Sequence, residues 1–561
     1  MLALPLRAQG APPEGWAFRG GLTLGSLWRV ADRDPVLMGA GNAPVVGATG
    51  SGARNQDDGT LNFAKGDVVS SAVHGWLETA YRRGAWRLTV QGKAWHDREL
   101  ESGARPFGNQ ANGYAPGRPL SDRGYSPRSA FSGGILQEAT LRWTGEALGR
   151  PLTLSGGNQL LPWGGGFLSG GGLALLNPVD QPALHRAGPA PEETRVPFPA
   201  LLGRLELSRD LALEAFGQLG WRPTELDGGG TFYSTFDYVG GGGDRVLVGA
   251  GTDAQLLAAG SFLSRKATPD VPAGGQFGAG LLWSRPGWSL GFYAARFHAR
   301  TPVASAVKTR RTTDPAFIPG DPGGLNGGYL LEYPTGLHLY ALRATVDLGP
   351  SRLTGEVSHR PDAPIQLYPT DLLNAAVSNT APTELRADME ALPYGAVLHG
   401  SDALRTTQAT LALTRPWRDV AGFQEVKATV EAGAHWVHGF PDVDRRRYGR
   451  IVILPATGDP ARDREGFVTA SAWGYKLALQ ARRTGLPRGT VLVASLNLAH
   501  DVRGWAPGVL YLQARKTAQL TLRAEFRNRM GVEATYSGVG GRGYNPTRDR
   551  DTAGLALSWR P

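Results

Sequence analysis

Hydrophobic and polar residues alternate along most of this chain. From Leu512 to Arg527 one set of positions reads Leu512, Ala514, Lys516, Ala518, Leu520, Leu522, Ala524, Phe526, and the other Gln513, Arg515, Thr517, Gln519, Thr521, Arg523, Glu525, Arg527. Only an extended strand puts successive side chains on opposite faces, so the spacing predicts a strand with one greasy and one wet face. Its length exceeds the roughly 9–11 residues a strand needs to cross a bilayer at a tilt. The same sorting sets Leu211, Leu213, Ala215 and Gly217 against Glu214 and Gln218, and Val426, Ala428, Val430, Ala432, Ala434 and Trp436 against Lys427, Glu431 and His435.

These runs pair across short turns near Arg83-Gly84, Ser208–Asp210, Arg285–Gly287, Leu348–Ser351, Thr484–Gly489 and Asn528–Gly531. Long Gly- and Pro-rich connections separate the pairs: Asp97–Gly133, Leu161–Pro197, Pro223–Gly274, Ala299–Pro334, Pro361–Ser401 and Gly439–Arg464. Short turns at one end and long loops at the other are the asymmetry of outer-membrane β-barrels, periplasmic and extracellular respectively. The expectation is a single all-β transmembrane antiparallel barrel of about 18 strands, with 16 the nearest alternative for an even-numbered fold. Its last run, Ala553 to Trp559, closes against Phe18 to Val30. Trp86, Trp143, Trp283, Trp288 and Trp417 stand beside short turns, where an interfacial aromatic girdle belongs. A soluble propeller or sandwich would show blade repeats or evenly spaced turns, which this chain lacks.

Composition narrows the picture further. The 561 residues include no cysteine, which excludes disulfides and thiolate chemistry. No apolar run of about 18 residues occurs, so membrane helices are excluded. The net charge of +10 is dispersed over alternating strands rather than gathered into an arm, which argues against nucleic acid as a partner. Met1 to Ala11 holds a short apolar run followed by Ala8-Gln9-Gly10 and reads as the remnant of a signal peptide or a disordered start. The division is therefore 1–15 for that remnant and 16–561 for the barrel, with 161–197 a loop able to fold into the lumen.

Several segments carry a family likeness in succession: Trp28 to Pro35, Asp57 to Phe63, Lys65 to Ser71, Trp163-Gly164 continuing to Leu176–Asp180, and Leu213–Phe216 with Gln218 and Trp221–Thr224. Tyr329–Pro334, Gly355–Pro361, Ser471–Tyr475 and His500–Gly504 follow. Together they resemble the domain of unknown function 1302 family of large bacterial outer-membrane proteins. The resemblance implies an outer-membrane barrel of a diderm bacterium that passes a hydrophobic or amphipathic small molecule, with a periplasmic lipid-binding-like protein and an inner-membrane permease as partners. Outer-membrane lipids are expected around the barrel wall, and no cofactor is expected. Two departures stand out. Family members carry a cysteine pair where this chain has Asp227–Gly230 and Gly241–Asp244, so that loop lacks a staple; and Trp559 is followed by Arg560-Pro561 instead of ending the chain on an aromatic residue.

Glycines 164–166 and 170–172 permit sharp excursions and close approach. They make the segment Trp163–Asp180 the candidate constriction, with Trp163, Phe167, Asn177 and Asp180 along the path. Glu214, Gln218, Arg343, Glu356, Lys427, Glu431, His435, Arg515, Arg523 and Arg527 fall on the inferred lumen face, where mixed charge solvates a wide bore. Asp57, Asp58 and Asn62 approach the spacing of a calcium loop but lack its terminal bidentate Glu, so a solvated loop is expected. The basic clusters Lys308, Arg310, Arg311 and Arg445–Arg447 fall in outer loops. Catalysis is not expected: residues 431 and 435 share a strand face but stand about 13 Å apart along it, and no nucleophile elbow, zinc motif or phosphate loop occurs. The function expected is a channel for a hydrophobic or amphipathic molecule. A general porin for small polar solutes is the alternative, and a barrel enzyme the second.

Overall fold

In a computed structural model, which describes residues 14–450, 459, 463–527, 529–541 and 543–561, the period-two segments form one closed antiparallel sheet. Its strands are β1 (Gly15–Arg29), β2 (Val68–Arg83), β3 (Trp86–Asp97), β4 (Ser132–Ala147), β5 (Arg150–Gln159), β6 (Phe198–Glu206), β7 (Leu211–Gln218), β8 (Gln276–Arg285) and β9 (Trp288–Phe297). The second half comprises β10 (Leu337–Leu348), β11 (Ser351–Gln366), β12 (Ser401–Val420), β13 (Phe423–His438), β14 (Ser471–Arg483), β15 (Val491–Arg503), β16 (Lys516–Glu525), β17 (Met530–Gly540) and β18 (Thr552–Trp559). Each strand pairs with the next, and β18 returns to β1 in a register running from Leu22 opposite Trp559 to Arg29 opposite Thr552. Among the described residues the barrel thus has 18 strands, and its wall closes without an unpaired edge.

Two short turns escaped the sequence reading. Leu148-Gly149 and Ala421-Gly422 both hold positive φ at each central residue (54° and 68°, 52° and 81°), the two-residue hairpin geometry that suits strand twist. A Leu or an Ala at the first position disguises the signal, which is strong only with Asn, Asp or Gly there. The strand read from Leu512 to Arg527 is also shorter than its pattern, because β16 covers only Lys516–Glu525. Leu512 is buried in the preceding loop, Ala514 takes a left-handed φ of 66°, and Asp501 accepts the Leu512 amide at 2.9 Å. Met1–Ala11 and Asn528 lie outside the described residues.

The outward face carries Leu22, Leu77, Leu213, Phe292, Leu411, Val430, Leu520 and Leu555, each more than a third exposed, as a lipid-facing wall requires. Near the short turns the Trp86–Trp143 and Trp283–Trp288 ring centroids lie 6.5 Å and 4.9 Å apart, and Trp417 is exposed. No described helix is long and apolar enough to cross a membrane. The largest hydrophobic core lies at the long-loop end. There Tyr238, Val246, Leu263, Tyr329, Leu331, Leu367, Leu372, Met389 and Tyr448 pack together from four different loops. A five-stranded sheet built from Arg245–Leu247, Phe262–Arg265, Gly328–Glu332, Val303–Val307 and Val397–Leu398 supports them. Each large side chain so buried stabilises by about 1.5–3 kcal/mol, so these loops form an ordered cap.

Candidate functional site

Between β5 and β6 the chain leaves the wall for residues 160–197. Asn177 closes the neck of this excursion: its Oδ1 accepts the Leu161 amide at 2.9 Å, and its Nδ2 donates to the Leu161 carbonyl at 3.0 Å and the Trp163 carbonyl at 3.3 Å. Past the neck, Trp163 donates its indole N–H to Glu214 on β7 at 2.7 Å and packs against Phe216 and Tyr293, with centroids at 5.2 Å and 5.0 Å.

The glycine-rich tip then meets five consecutive strands. Arg343 of β10 donates to the Gly165 carbonyl and stacks over Phe167 at 5.0 Å. Glu356 of β11 accepts the Leu173 amide at 3.0 Å, and Gln408 of β12 donates to the Gly170 carbonyl at 2.9 Å. Glu431 of β13, fully buried, accepts the amides of Leu168 and Ser169 at 2.5 Å and 2.7 Å; Lys476 of β14 donates to the Leu168 carbonyl at 3.1 Å. Gly171 and Gly172 have φ of 91° and 53°, and an added Cβ would come within 2.0 Å of Gln408 Oε1 or Glu356 Oε1. Only glycine satisfies both the left-handed backbone and the close approach.

The returning half, 177–197, binds the opposite wall. Lys93 of β3 holds Asp180 at 2.6 Å and the Glu193 carbonyl at 2.7 Å, and Arg128 approaches Asp180 at 3.4 Å. His74 of β2 meets Glu193 at 2.9 Å and the Ala187 carbonyl at 3.0 Å. Gln91 of β3 and Gln137 of β4 donate to the Glu192 carbonyl at 2.9 Å and 3.2 Å. β3 and β12 are nine strands apart in a ring of eighteen, so one segment is hydrogen-bonded to walls facing each other across the bore.

Of the residues singled out from sequence, Trp163, Phe167, Glu214, Arg343, Glu356 and Glu431 meet around this segment. Gln218 lies on β7, holding Arg300 at 2.8 Å, while Lys427 and His435 share the inward face of β13 with Glu431, and Arg523 points inward from β16 beside Glu525 at 3.2 Å. Other residues take different places. Asp180 is fully buried in its ion pairs and caps the helix Gln181–Leu184. Arg515 sits in the loop before β16, paired with Asp501 at 2.6 Å, and Arg527 is exposed in the turn after it. Gln408 and Tyr293 were not singled out, since a polar or aromatic residue on an inward position gives no signal until the segment it meets is known.

The outer acidic segment is not a solvated loop. Asp57 and Asp58 are buried, and burial followed by repulsion from neighbouring acids pushes both carboxyls well above their usual range. Asn62 faces elsewhere, bonding the Gly108 amide and carbonyl and the Gly230 carbonyl. In the basic clusters Arg310 and Arg445 are exposed, whereas Arg446 pairs with Asp388 and Asp402, Arg447 with Asp371, and Arg311 with Asn326 at 2.9 Å. The two glycine segments in place of the family's cysteines remain neighbours, with the Gly229 amide on the Gly241 carbonyl at 2.9 Å and the Tyr125 hydroxyl on the Gly229 carbonyl at 2.6 Å.

No curated protein matches this sequence. Solved structures similar to it include Acinetobacter baumannii OccAB2 (TM-score 0.42, 10% identity, covering 97% of this chain and 98% of that chain). Acinetobacter baumannii OccAB3 (0.40, 10%, 97% and 99%) and Pseudomonas aeruginosa OccK1, or OpdK (0.38, 12%, 97% and 98%), are others. At that distance they carry no argument about what this protein does. The model of the family described as protein of unknown function (DUF1302) matches residues 8–560, nearly the whole chain, and the chain belongs to that family.

Proposed function

We propose that the protein is an outer-membrane channel, constricted by residues 160–197, that passes a hydrophobic or amphipathic small molecule. The observation that carries this reading is the bracing of one segment against both β10–β14 and β2–β4. A general porin for small polar solutes needs an open hydrated bore, whereas here inward-facing polar side chains are spent on holding a segment across it. The surroundings suit a cargo with both characters: the rings of Trp163, Phe216 and Tyr293 stand beside the Arg204–Glu214 pair at 2.6 Å, and Phe167 lies under Arg343. Catalysis has no part in this reading, since Glu431 is occupied as the acceptor of two backbone amides. A periplasmic lipid-binding-like protein and an inner-membrane permease are the partners it expects, meeting the barrel at its short-turn end.

Planar-bilayer recording tests the reading. The native protein is expected to show small, flickering conductance, and deletion of Phe167–Gly172 a larger and steadier one. Large unselective conductance of the native protein, with liposome swelling in small sugars and no change on deletion, would establish the general porin instead.

A further inference from the structure

Outside the bore segment, four buried carboxylates converge from two outer loops. Asp57 and Asp58 open the short helix Asp58–Leu61 in the loop between β1 and β2. Asp237 and Asp253 belong to the loop between β7 and β8. All four are at most 2% exposed, and oxygens of Asp57, Asp58 and Asp253 lie within 4.8 Å of one another.

The hydrogen-bond accounting around them is incomplete. Asp57 accepts the Gly39 amide at 2.7 Å and the Asn42 side chain at 3.1 Å, and Asp237 accepts the Asp57 amide at 3.1 Å. Asp253 reaches Arg54 only at 3.4 Å. Among the described residues, both oxygens of Asp58, one each of Asp237 and Asp253, and the hydroxyl of buried Tyr114 have no hydrogen-bond partner. The nearby Arg550 turns its Nη1 to Asp549 and to Thr60 at 2.8 Å, and its Nε reaches none of these carboxylates. Folded proteins leave few buried polar atoms unpaired, and four carboxylate oxygens left so in one place mark a missing positive partner.

The donor set selects that partner. All the free atoms are hard oxygens, with no imidazole or thiolate among them, which fits Ca²⁺ or Mg²⁺ rather than a transition metal. Ca²⁺ takes six to eight oxygens at about 2.3–2.6 Å in irregular geometry, whereas Mg²⁺ demands a near-ideal octahedron. Two carboxylates adjacent in sequence and a third from another loop suit the first. We propose that Asp57, Asp58 and Asp253, with Asp237 beside them, hold a calcium-class divalent cation that clasps the first outer loop to the loop after β7. The loops already touch closely there, since a Cβ on Gly59 would meet the Thr231 carbonyl oxygen at 2.5 Å.

The test uses the full-length barrel folded in detergent and freed of metal with EDTA. Calorimetric titration with CaCl₂ alone is expected to give one saturable site per chain. Trypsin cleavage within residues 219–275 is expected to slow about tenfold at Ca²⁺ ten times its Kd, because cleavage follows loop opening. Asp58→Asn and Asp253→Asn, from different loops, should each abolish both effects while the heat-resistant barrel persists on gels. Asp444→Asn, in another loop, should keep them. Equal cleavage of the native protein in Ca²⁺ and EDTA overturns the proposal without any variant. So does Ca²⁺ binding that survives both substitutions, or an Asp58→Asn protein at least as protected in Ca²⁺ as the native one, the outcome expected if these carboxyls carry protons.

Discussion

Replacing Glu431 by Ala isolates the tether that matters most to the proposed constriction. Its buried carboxylate accepts two amides from adjacent residues of the segment, Leu168 and Ser169. A hydrogen bond to a charged group contributes about 1.5–3 kcal/mol. Taking the lower figure for each, because freed amides can find water in the bore, the loss is about 3 kcal/mol. That raises the ratio of released to tethered segment about a hundredfold, at tenfold per about 1.4 kcal/mol. Glu431→Gln keeps an acceptor but not the charge and should lie between. Single-channel recording reads the outcome as longer open dwell times and higher mean conductance, with heat-shifted mobility on gels confirming that the barrel has formed. A folded Glu431→Ala protein whose conductance and flicker match the native trace would refute the reasoning, because the segment would then not govern the bore.

Gly172→Ala, which would drive a methyl into Glu356 at a φ of 53°, should also loosen the tip and increase conductance, whereas Gly165→Ala, with open space around its Cα, should change little. Leu520→Arg on the lipid face of β16 is expected to cost about 2–4 kcal/mol of barrel stability, and Thr521→Arg on the inward face far less, by urea unfolding in lipid vesicles. At the seam, Asp549→Ala strands the fully buried Arg29 guanidinium and should cost about 3–5 kcal/mol by the same measurement. A loss under about 1 kcal/mol, the value of an exposed pair, would mean that water reaches the site.

The wall was legible because alternation is a local property: each strand announces its two faces whatever its neighbours do, and glycine-rich turns mark where pairs join. The same logic overran at Leu512–Arg515, where residues that alternate in type form a turn instead: the Arg515 amide donates to the Leu512 carbonyl at 2.9 Å, Ala514 is left-handed, and Asp501 holds both ends. What could not be read was long-range pairing. Glu431 waits for amides some 260 residues earlier in the chain, and Asp57 for an acid 180 residues later. Nothing near either residue differs from an ordinary lumen or loop carboxylate. Asp180 misled for the complementary reason, because a polar residue ending a glycine-rich run looks like pore lining until Lys93 and Arg128 are seen to enclose it.

The seam between β1 and β18 also fixes an order of events. Leu22 finds Trp559 only when the last strand has been made, and by then residues 160–197 have been waiting for partners as late as Lys476. Closure of the wall and anchoring of its contents therefore draw on the same late strands: the tethers of residues 160–197 are complete only once the chain has reached Lys476, nearly as far along as the strand that seals the ring.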